Sequence, residues 1–378
     1  MAARTTGISD DWIIHPGETI ADVLEDRGIT QAELAARTDV TPAYVSSVIS
    51  GKKDISSKFA AALEYALGVR KSFWLNLQAN YEAEKLDRDE VKTITDEEKT
   101  AKTALAEIAR HLRKQGYMPL HHRAEDTILS LRKALQISNI DNLKDLVPAG
   151  AFRMSTHASV DPHVLGAWLR LCQMAGDQRR IDTPFEPAKT GDLVADLKQT
   201  LCDPYCDLPE DLTALMGKYG IDFSVVRHFR GAPVHGYLTR KKDSIYQMVL
   251  TIRGAYADIF WFSLFHEIGH IVNGDVAKVQ KFIDVVDGHT SEREQAADRF
   301  ASEALVDPAG YERFLNESDF SIPAIQRFAS SQQVMPYIVI GRLQKEKIVP
   351  YSMYSSYKVR YRWHDAFSVP SKGAPKRG

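Results

Sequence analysis

The chain has 378 residues, of which 44% are hydrophobic and 26% charged, with a formal net charge of −2. That length exceeds one ordinary core and predicts two or three domains, while the balanced charge excludes a globally basic nucleic-acid binder, so any DNA contact must come from a local patch. No uninterrupted apolar stretch approaches the roughly 18 residues of a membrane span, and MAARTTGISDDWIIHPGE lacks the basic start and long apolar core of a secretion signal; a cytoplasmic protein without membrane partners is expected. From His15 to about Glu84 the apolar residues recur at helical spacing in five short segments, a compact helical unit over residues 1–84. Thr30 with Glu33 reads as a capping box, and Thr41 as the cap of the next helix, where Pro42 suits the first turn. Residues 85–103, KLDRDEVKTITDEEKTAKT, carry almost no large apolar side chains and read as a charged linker, in a solvated helix or none. Residues 104–209 are again mostly helical in pattern, with breaks at PAGAFRMSTHASVDP and RRIDTPFEPAKTG. IDFSVVRHF and SIYQMVLTI are then rich in β-branched and aromatic residues, with a short strand possible between them, so a small sheet precedes FSLFHEIGHIVNG. Further helices follow in SEREQAADRFASEALVDP and, as a pair within 311–365, in IPAIQRFASSQQVMPYIVIGRLQKEKIV; residues 366–378 read as a disordered tail. The fold class is mainly α with a small β-sheet in the C-terminal part. Cys172, Cys202 and Cys206 read as structural thiols.

On a helix, His266 and His270 lie on one face and can offer two ring nitrogens to one metal ion, while Glu267 points about 100° away, placed to hold a water without being a ligand. The competing reading is a core helix whose histidines bond to backbone or carboxylates. A catalytic Zn2+ needs a third protein ligand, and Glu294 is the candidate; Asp298, four residues on, can accept the free ring N–H of a ligand histidine. The longer His-Glu-x-x-His-x-x-Gly-x-x-His pattern is excluded, because Asn273 and Val276 stand at its last two positions.

FSLFHEIGH followed by Glu294, Ala297, Asp298, Phe300 and Ala301, after a strand-rich segment, resembles the ImmA/IrrE family of zinc metallo-endopeptidases over roughly residues 210–310. The resemblance implies a zincin-like, gluzincin-type domain acting on regulatory proteins, with His266, His270 and Glu294 as ligands and Glu267 as base. Ala296 stands where the family often has an acidic residue, and Leu-Val-Asp-Pro replaces its usual Leu-Leu-Met-Pro. For the oxyanion His235, His289 and Tyr311 are conceivable donors, and SIYQMVLTI is a candidate edge for an extended peptide.

TQAELAARTDVTPAYVSSVISGKK has the layout of a helix-turn-helix, with Ala35, Val40, Val45 and Val48 buried and a turn over Thr38 to Thr41. Its second helix would present Thr41, Ala43, Tyr44 and Ser47 to the major groove, with Gln31, Lys52 and Lys53 near phosphates; a merely structural helical bundle is the alternative. The run from HPGE through FWLNLQ resembles HigA-type antitoxins of the Xre group, which implies a five-helix lambda-repressor-like domain, a homodimer on a palindromic double-stranded DNA operator, and a toxin partner. Asp39 stands where that turn usually has glycine, and Asp tolerates a left-handed backbone. The expected function is a DNA-binding transcriptional regulator with a zinc-dependent endopeptidase that cuts a regulatory protein, with its own 85–103 connector as one candidate cut site. The alternative is a HigA-like antitoxin and autorepressor whose peptidase-like part binds or senses without turnover.

Overall fold

The computed structural model describes residues 14–121, 123–147, 160–177, 179–242, 244–254, 256–278, 281–285, 292–363 and 370–372. Two compact units divide the chain between Thr95 and Asp96. Unit one contains α1 (Pro16–Arg27), α2 (Gln31–Thr38), α3 (Pro42–Ile49), α4 (Ser57–Leu67) and α5 (Lys71–Glu90). Their apolar stripes close one core of Ile20, Leu34, Val45, Val48, Phe59, Leu63 and Trp74, all at most 2% exposed. The caps that the sequence suggests form, the hydroxyls of Thr30 and Thr41 accepting from the backbone N–H groups of Glu33 and Tyr44, and Ser56 caps α4 in the same way through Phe59 N–H.

Unit two begins with α6 (Asp96–Ala104), α7 (Ala106–Lys114), α8 (Ala124–Leu135), α9 (Pro162–Asp177), α10 (Thr190–Cys202) and α11 (Leu208–Lys218). The segment 85–103, expected as a solvated helix or a linker, holds the division between the two units at Thr95/Asp96 and is helical on either side of it. Its first part continues α5, because Lys, Glu and Arg carry a helix without needing an apolar face, and its last part is α6. Within α6, Glu98 and Ala101 are fully buried. Glu98 accepts from Nε of Arg132 at 2.9 Å and from the Ile140 backbone N–H at 3.0 Å, which satisfies a charge that burial alone would make costly.

A sheet follows, of β1 (Ile221–Val225), β2 (Val234–Lys242), β3 (Ile245–Leu250) and, beyond the first two of the next helices, β4 (Lys281–Val285). Its order among the described residues is β1-β3-β2-β4, with β1 parallel to β3 and the other pairs antiparallel. Two departures from expectation stand here: β4 lies after the histidine-bearing helix and carries no strand signal of its own in the reading above, and β3 is internal, paired to both β1 and β2, so it cannot be a free edge for a peptide. The period of two sends Phe223, Leu238, Met248 and Leu250 into the main core. The opposite face receives α9, where the Gln247 side chain donates to the Cys172 carbonyl at 2.6 Å and Trp168 meets Tyr237 edge-on.

The remaining elements are α12 (Ala257–Val272), α13 (Asp275–Lys278), α14 (Glu292–Leu305), α15 (Pro308–Glu317), α16 (Ile322–Ser331), α17 (Pro336–Lys345), and the short pair β5 (Tyr361–Trp363) and β6 (Pro370–Lys372). Pairing of β6 with β5 corrects the expectation of disorder at 370–372; the other tail positions from 366 lie outside the described residues. One core joins Leu193 and Leu197 of α10, Leu212 of α11, Trp261 and Phe265 of α12, Tyr311 and Ile340, so the packing has no seam at 209/210 or at 310/311. Cys172, Cys202 and Cys206 are thiols. Among the described residues no helix is long and apolar enough to cross a membrane.

The buried pair gives a stability test. Glu98→Ala leaves Arg132 and the Ile140 N–H without their acceptor and is expected to cost about 3–5 kcal/mol of unfolding free energy. Urea titration of the full chain checks it; a loss under about 1 kcal/mol would mean that water replaces the carboxylate.

Candidate functional site

Helix α12 is buried nearly all round, from Phe260 to Ile271, which is why its sequence is an apolar run rather than a stripe. Into that run it carries His266 at 7% exposure, Glu267 at 1% and His270 at 0%. Gly269, on the same helix, lets α14 come close: a Cβ there would stand 3.0 Å from the Ala297 Cα. Two small residues at the crossing thus bring the backbones together, and Glu294, one turn before Ala297, reaches the histidine pair.

The three predicted ligands converge. The Nε2 atoms of His266 and His270 are 3.0 Å apart, and Oε2 of Glu294 lies 3.2 Å from the first and 3.7 Å from the second. Donors at the corners of a tetrahedral zinc site, each about 2.0–2.1 Å from the ion, are about 3.3 Å apart, so these spacings straddle that edge length. The outward nitrogens are held by carboxylates: His266 Nδ1 faces Asp298 Oδ1 at 2.9 Å, as the spacing predicts, and His270 Nδ1 faces Asp275 Oδ2 at 2.9 Å. Both Nε2 atoms are thereby turned toward Glu294. Burial by itself would raise the Glu294 carboxyl, but hydrogen bonds from His266 and His270 outweigh it and hold it at about 2. For His270, burial works to lower the pKa, and Glu294, Glu267 and Asp275 together reverse the direction and raise it. His266, His270 and Glu294 form a group able to hold one metal ion.

Glu267 packs against strand β2 at Gly236, where a Cβ would sit 2.3 Å from Glu267 Oε1, so only glycine leaves room for the carboxylate beside the strand. Asp275 and Gly236 join this group in the structure without having been expected from the sequence. Asp275 had one signal, an acid placed just past the helix end after Gly274, whose φ of 74° turns the chain back. Of the oxyanion candidates, the Tyr311 hydroxyl is committed to Glu346 Oε2 at 2.8 Å with Arg342 stacked on its ring, His235 lies next to Gly236 on β2, and His289 is outside the described residues.

In unit one, α2 ends at Asp39, whose φ of 55° is the left-handed turn anticipated for it, and α3 starts two residues after the intervening Val40. The chain matches the helix-turn-helix family model HTH_3 over residues 20–74. It is 44% identical over 69 residues to virulence-associated protein A' of Dichelobacter nodosus, covering 18% of this chain and 60% of that one. It is 30% identical over 63 residues to the HTH-type transcriptional regulator YddM of Escherichia coli (strain K12), covering 17% of this chain and 67% of the relative. A solved structure from Nostoc punctiforme, described as an antidote protein of a plasmid maintenance system, has 35% identity, covers 22% of this chain and 97% of its own, and has a TM-score of 0.19. The N-terminal unit is a helix-turn-helix DNA-binding domain.

Within this helix-turn-helix domain Ala35, Val45 and Val48 are buried as expected, while Val40 is only partly so and packs against the core. Gln31, Thr41, Ala43, Lys52 and Lys53 are exposed. Tyr44 and Ser47 are half-buried: the Tyr44 ring meets Phe59 edge-on at 5.1 Å with Lys53 over it, and the Ser47 hydroxyl donates to the Tyr44 carbonyl at 2.7 Å. Ser46, exposed and three residues after Ala43, shares the outward face of α3 and was missed, although its i+3 spacing was the available signal. The HPG sequence at 15–17 positions that helix. His15 Nδ1 accepts from the Gly17 N–H at 2.9 Å, capping α1, and a Cβ at Gly17 would lie 2.1 Å from the Val48 carbonyl oxygen near the end of α3.

Gly17→Ala therefore cannot be absorbed without moving α1 or α3, and is expected to cost about 1–3 kcal/mol. Thermal unfolding checks this against Gly191→Ala, which lies in α10, meets nothing within 4 Å and is expected not to lower the midpoint. Equal midpoints for both variants would remove the contact from the account.

Proposed function

We propose that this chain is a cytoplasmic transcriptional regulator whose C-terminal unit is a zinc-dependent, zincin-like endopeptidase acting on a protein or peptide. The observation that carries the reading is the convergence of two imidazole Nε2 atoms and one carboxylate oxygen, with both outward Nδ1 atoms fixed by Asp298 and Asp275. Residues of this chemistry and spacing fit Zn2+: His266, His270 and Glu294 would hold it, leaving a fourth position for water. When bound, zinc supplies Lewis acidity and brings a water's pKa toward neutrality. Glu267, beside the ligands and kept in place by the bare backbone of Gly236, is the group that takes the proton and returns it to the leaving amine. Asp298 and Asp275 hold the imidazoles in the tautomer that aims Nε2 inward. The second reading, an antitoxin-like repressor whose C-terminal unit binds without turnover, is favoured by the resemblance of HPGE through FWLNLQ to HigA-type antitoxins and implies a toxin partner. Processing at 85–103 is not part of the proposal, because that segment is helical and buries Glu98.

One zinc per chain is expected in the purified protein, with Glu267→Gln keeping the metal and losing peptidase activity, and Asp298→Ala weakening metal affinity by about 10–100-fold. Elemental analysis and chelator competition provide the readout. Full zinc retention by the double variant His266→Ala/His270→Ala would overturn the ligand assignment. Metal retention with no proteolysis in wild type would shift the assignment to the non-turnover reading.

The helix-turn-helix domain is proposed to bind a palindromic operator as a homodimer through the outward face of α3, where Thr41, Ala43 and Ser46 are exposed and Ser47 lies at the edge. Ser46→Ala or Ser47→Ala is expected to relax sequence preference, whereas Lys52→Ala should weaken all sites alike and flatten the salt dependence of mobility shifts. Identical weak binding of wild type to operator and random duplex would exclude it.

A further inference from the structure

The end of the sheet holds a second polar cluster that the metal site does not use. Because β1 and β3 run parallel, the residues that follow them emerge side by side, with Val226 N–H donating to the Leu250 carbonyl at 2.9 Å. Antiparallel β2 starts at the same end. Arg227 and His228 after β1, Arg253 after β3, and His235 near the start of β2 are thus gathered at one rim, and α7 closes over it with His111, whose ring meets Phe229 edge-on at 5.4 Å. The side chains are half-buried, open to solvent at the rim. Yet Nη1 of Arg253 and Nδ1 of His228 are buried without a hydrogen-bond partner. Among the described residues positive groups dominate: Arg227 and Arg253 both act on His228, and Arg227 and Lys114 on His111, against the carboxylate of Glu107, which also accepts the Arg230 N–H at 3.1 Å. Burial first lowers the pKa of both imidazoles, followed by Arg227 in each case and by Arg253 for His228.

A guanidinium N–H removed from water without an acceptor is destabilising, and cationic groups held together repel, so the folded chain tolerates this arrangement at a cost that an anion would remove. The planar fork of arginine matches carboxylate and phosphate oxygens. We propose that Arg227, His228 and Arg253, with His111 as the wall, form a binding pocket for the phosphate or carboxylate group of a small anionic ligand. The pocket is distinct from the metal group: its residues follow β1 and β3 or sit on α7, and none of them is one of the three donors. It does not depend on the peptidase reading and stands or falls separately from it.

Titration calorimetry of the full chain with inorganic phosphate and, in a separate arm, succinate, at constant ionic strength set by chloride, tests the pocket and tells the two sources apart. Saturable binding of at least one anion is expected, reduced about ten-fold or more in Arg253→Gln. The ligand-free Arg253→Gln protein is expected to melt no lower than wild type, because the guanidinium Nη1 it removes has no partner to lose; should that variant not fold, the same titration is made on Arg227→Gln. No binding above the chloride control, unchanged affinity in the variants, or a lower ligand-free melting point for folded Arg253→Gln would each overturn the proposal.

Discussion

The close crossing of α12 and α14 at Gly269 and Ala297 is the constraint on which the metal group rests. Glu294 has a short side chain compared with the diameter of a helix, and it meets the His266–His270 pair only because no side chain separates the two backbones at the crossing. A larger residue at 269 would move α14 outward and break the convergence without touching any proposed ligand. The rest of the unit serves the same geometry. The core formed by α10, α11, α15, α16 and α17 encloses α12, whose apolar sequence then becomes intelligible as the filling of a core that happens to carry three ionisable side chains.

Those ionisable groups are expensive in such surroundings, and the structure compensates locally. Each buried imidazole faces a carboxylate at 2.9 Å, and Glu294 stays ionised against the push of burial because both imidazoles hydrogen-bond to it. Lys345 adds to this from outside, 3.8 Å from Asp298 and stacked over Phe262. The site is therefore organised outward from the donor atoms, through carboxylates, to a solvent-facing cation. Such a chain of partners fixes ring orientation before any ligand arrives.

How much of this was legible in the sequence follows from the range of each interaction. His266, His270 and Glu267 are related by helix periodicity alone, and Glu294 and Asp298 by a second periodic segment, so their grouping could be anticipated without knowing the fold. Gly236 could not, because its role is to be absent beside Glu267, which depends on strand β2 passing that point. Strand β4 was missed for a related reason: it follows the helix, where sequence order suggests the sheet is finished, and only the antiparallel register with β2, Tyr237 opposite Ile283, brings it back. In the charged segment at 85–103 the division between units was readable from composition, whereas the burial of Glu98 was not, since its partner, Arg132, lies 34 residues away. In the helix-turn-helix domain the caps and the Asp39 turn are local and were readable, whereas an eight-residue helix offers too few periods to tell that Tyr44 leans onto Phe59 while Ser46 faces out.

Strand β2 shows how one segment can serve both faces of the sheet. Alternation from Gly236 onward places Gly236 against Glu267 and sends Tyr237 the other way, where it meets Trp168 of α9. Side chains on the α9 face and the carboxylate on the α12 face are consequently separated by a single backbone layer. That layer is held by Thr251, whose N–H donates to the His235 carbonyl at 2.9 Å and whose hydroxyl donates to the Val234 carbonyl at 3.0 Å.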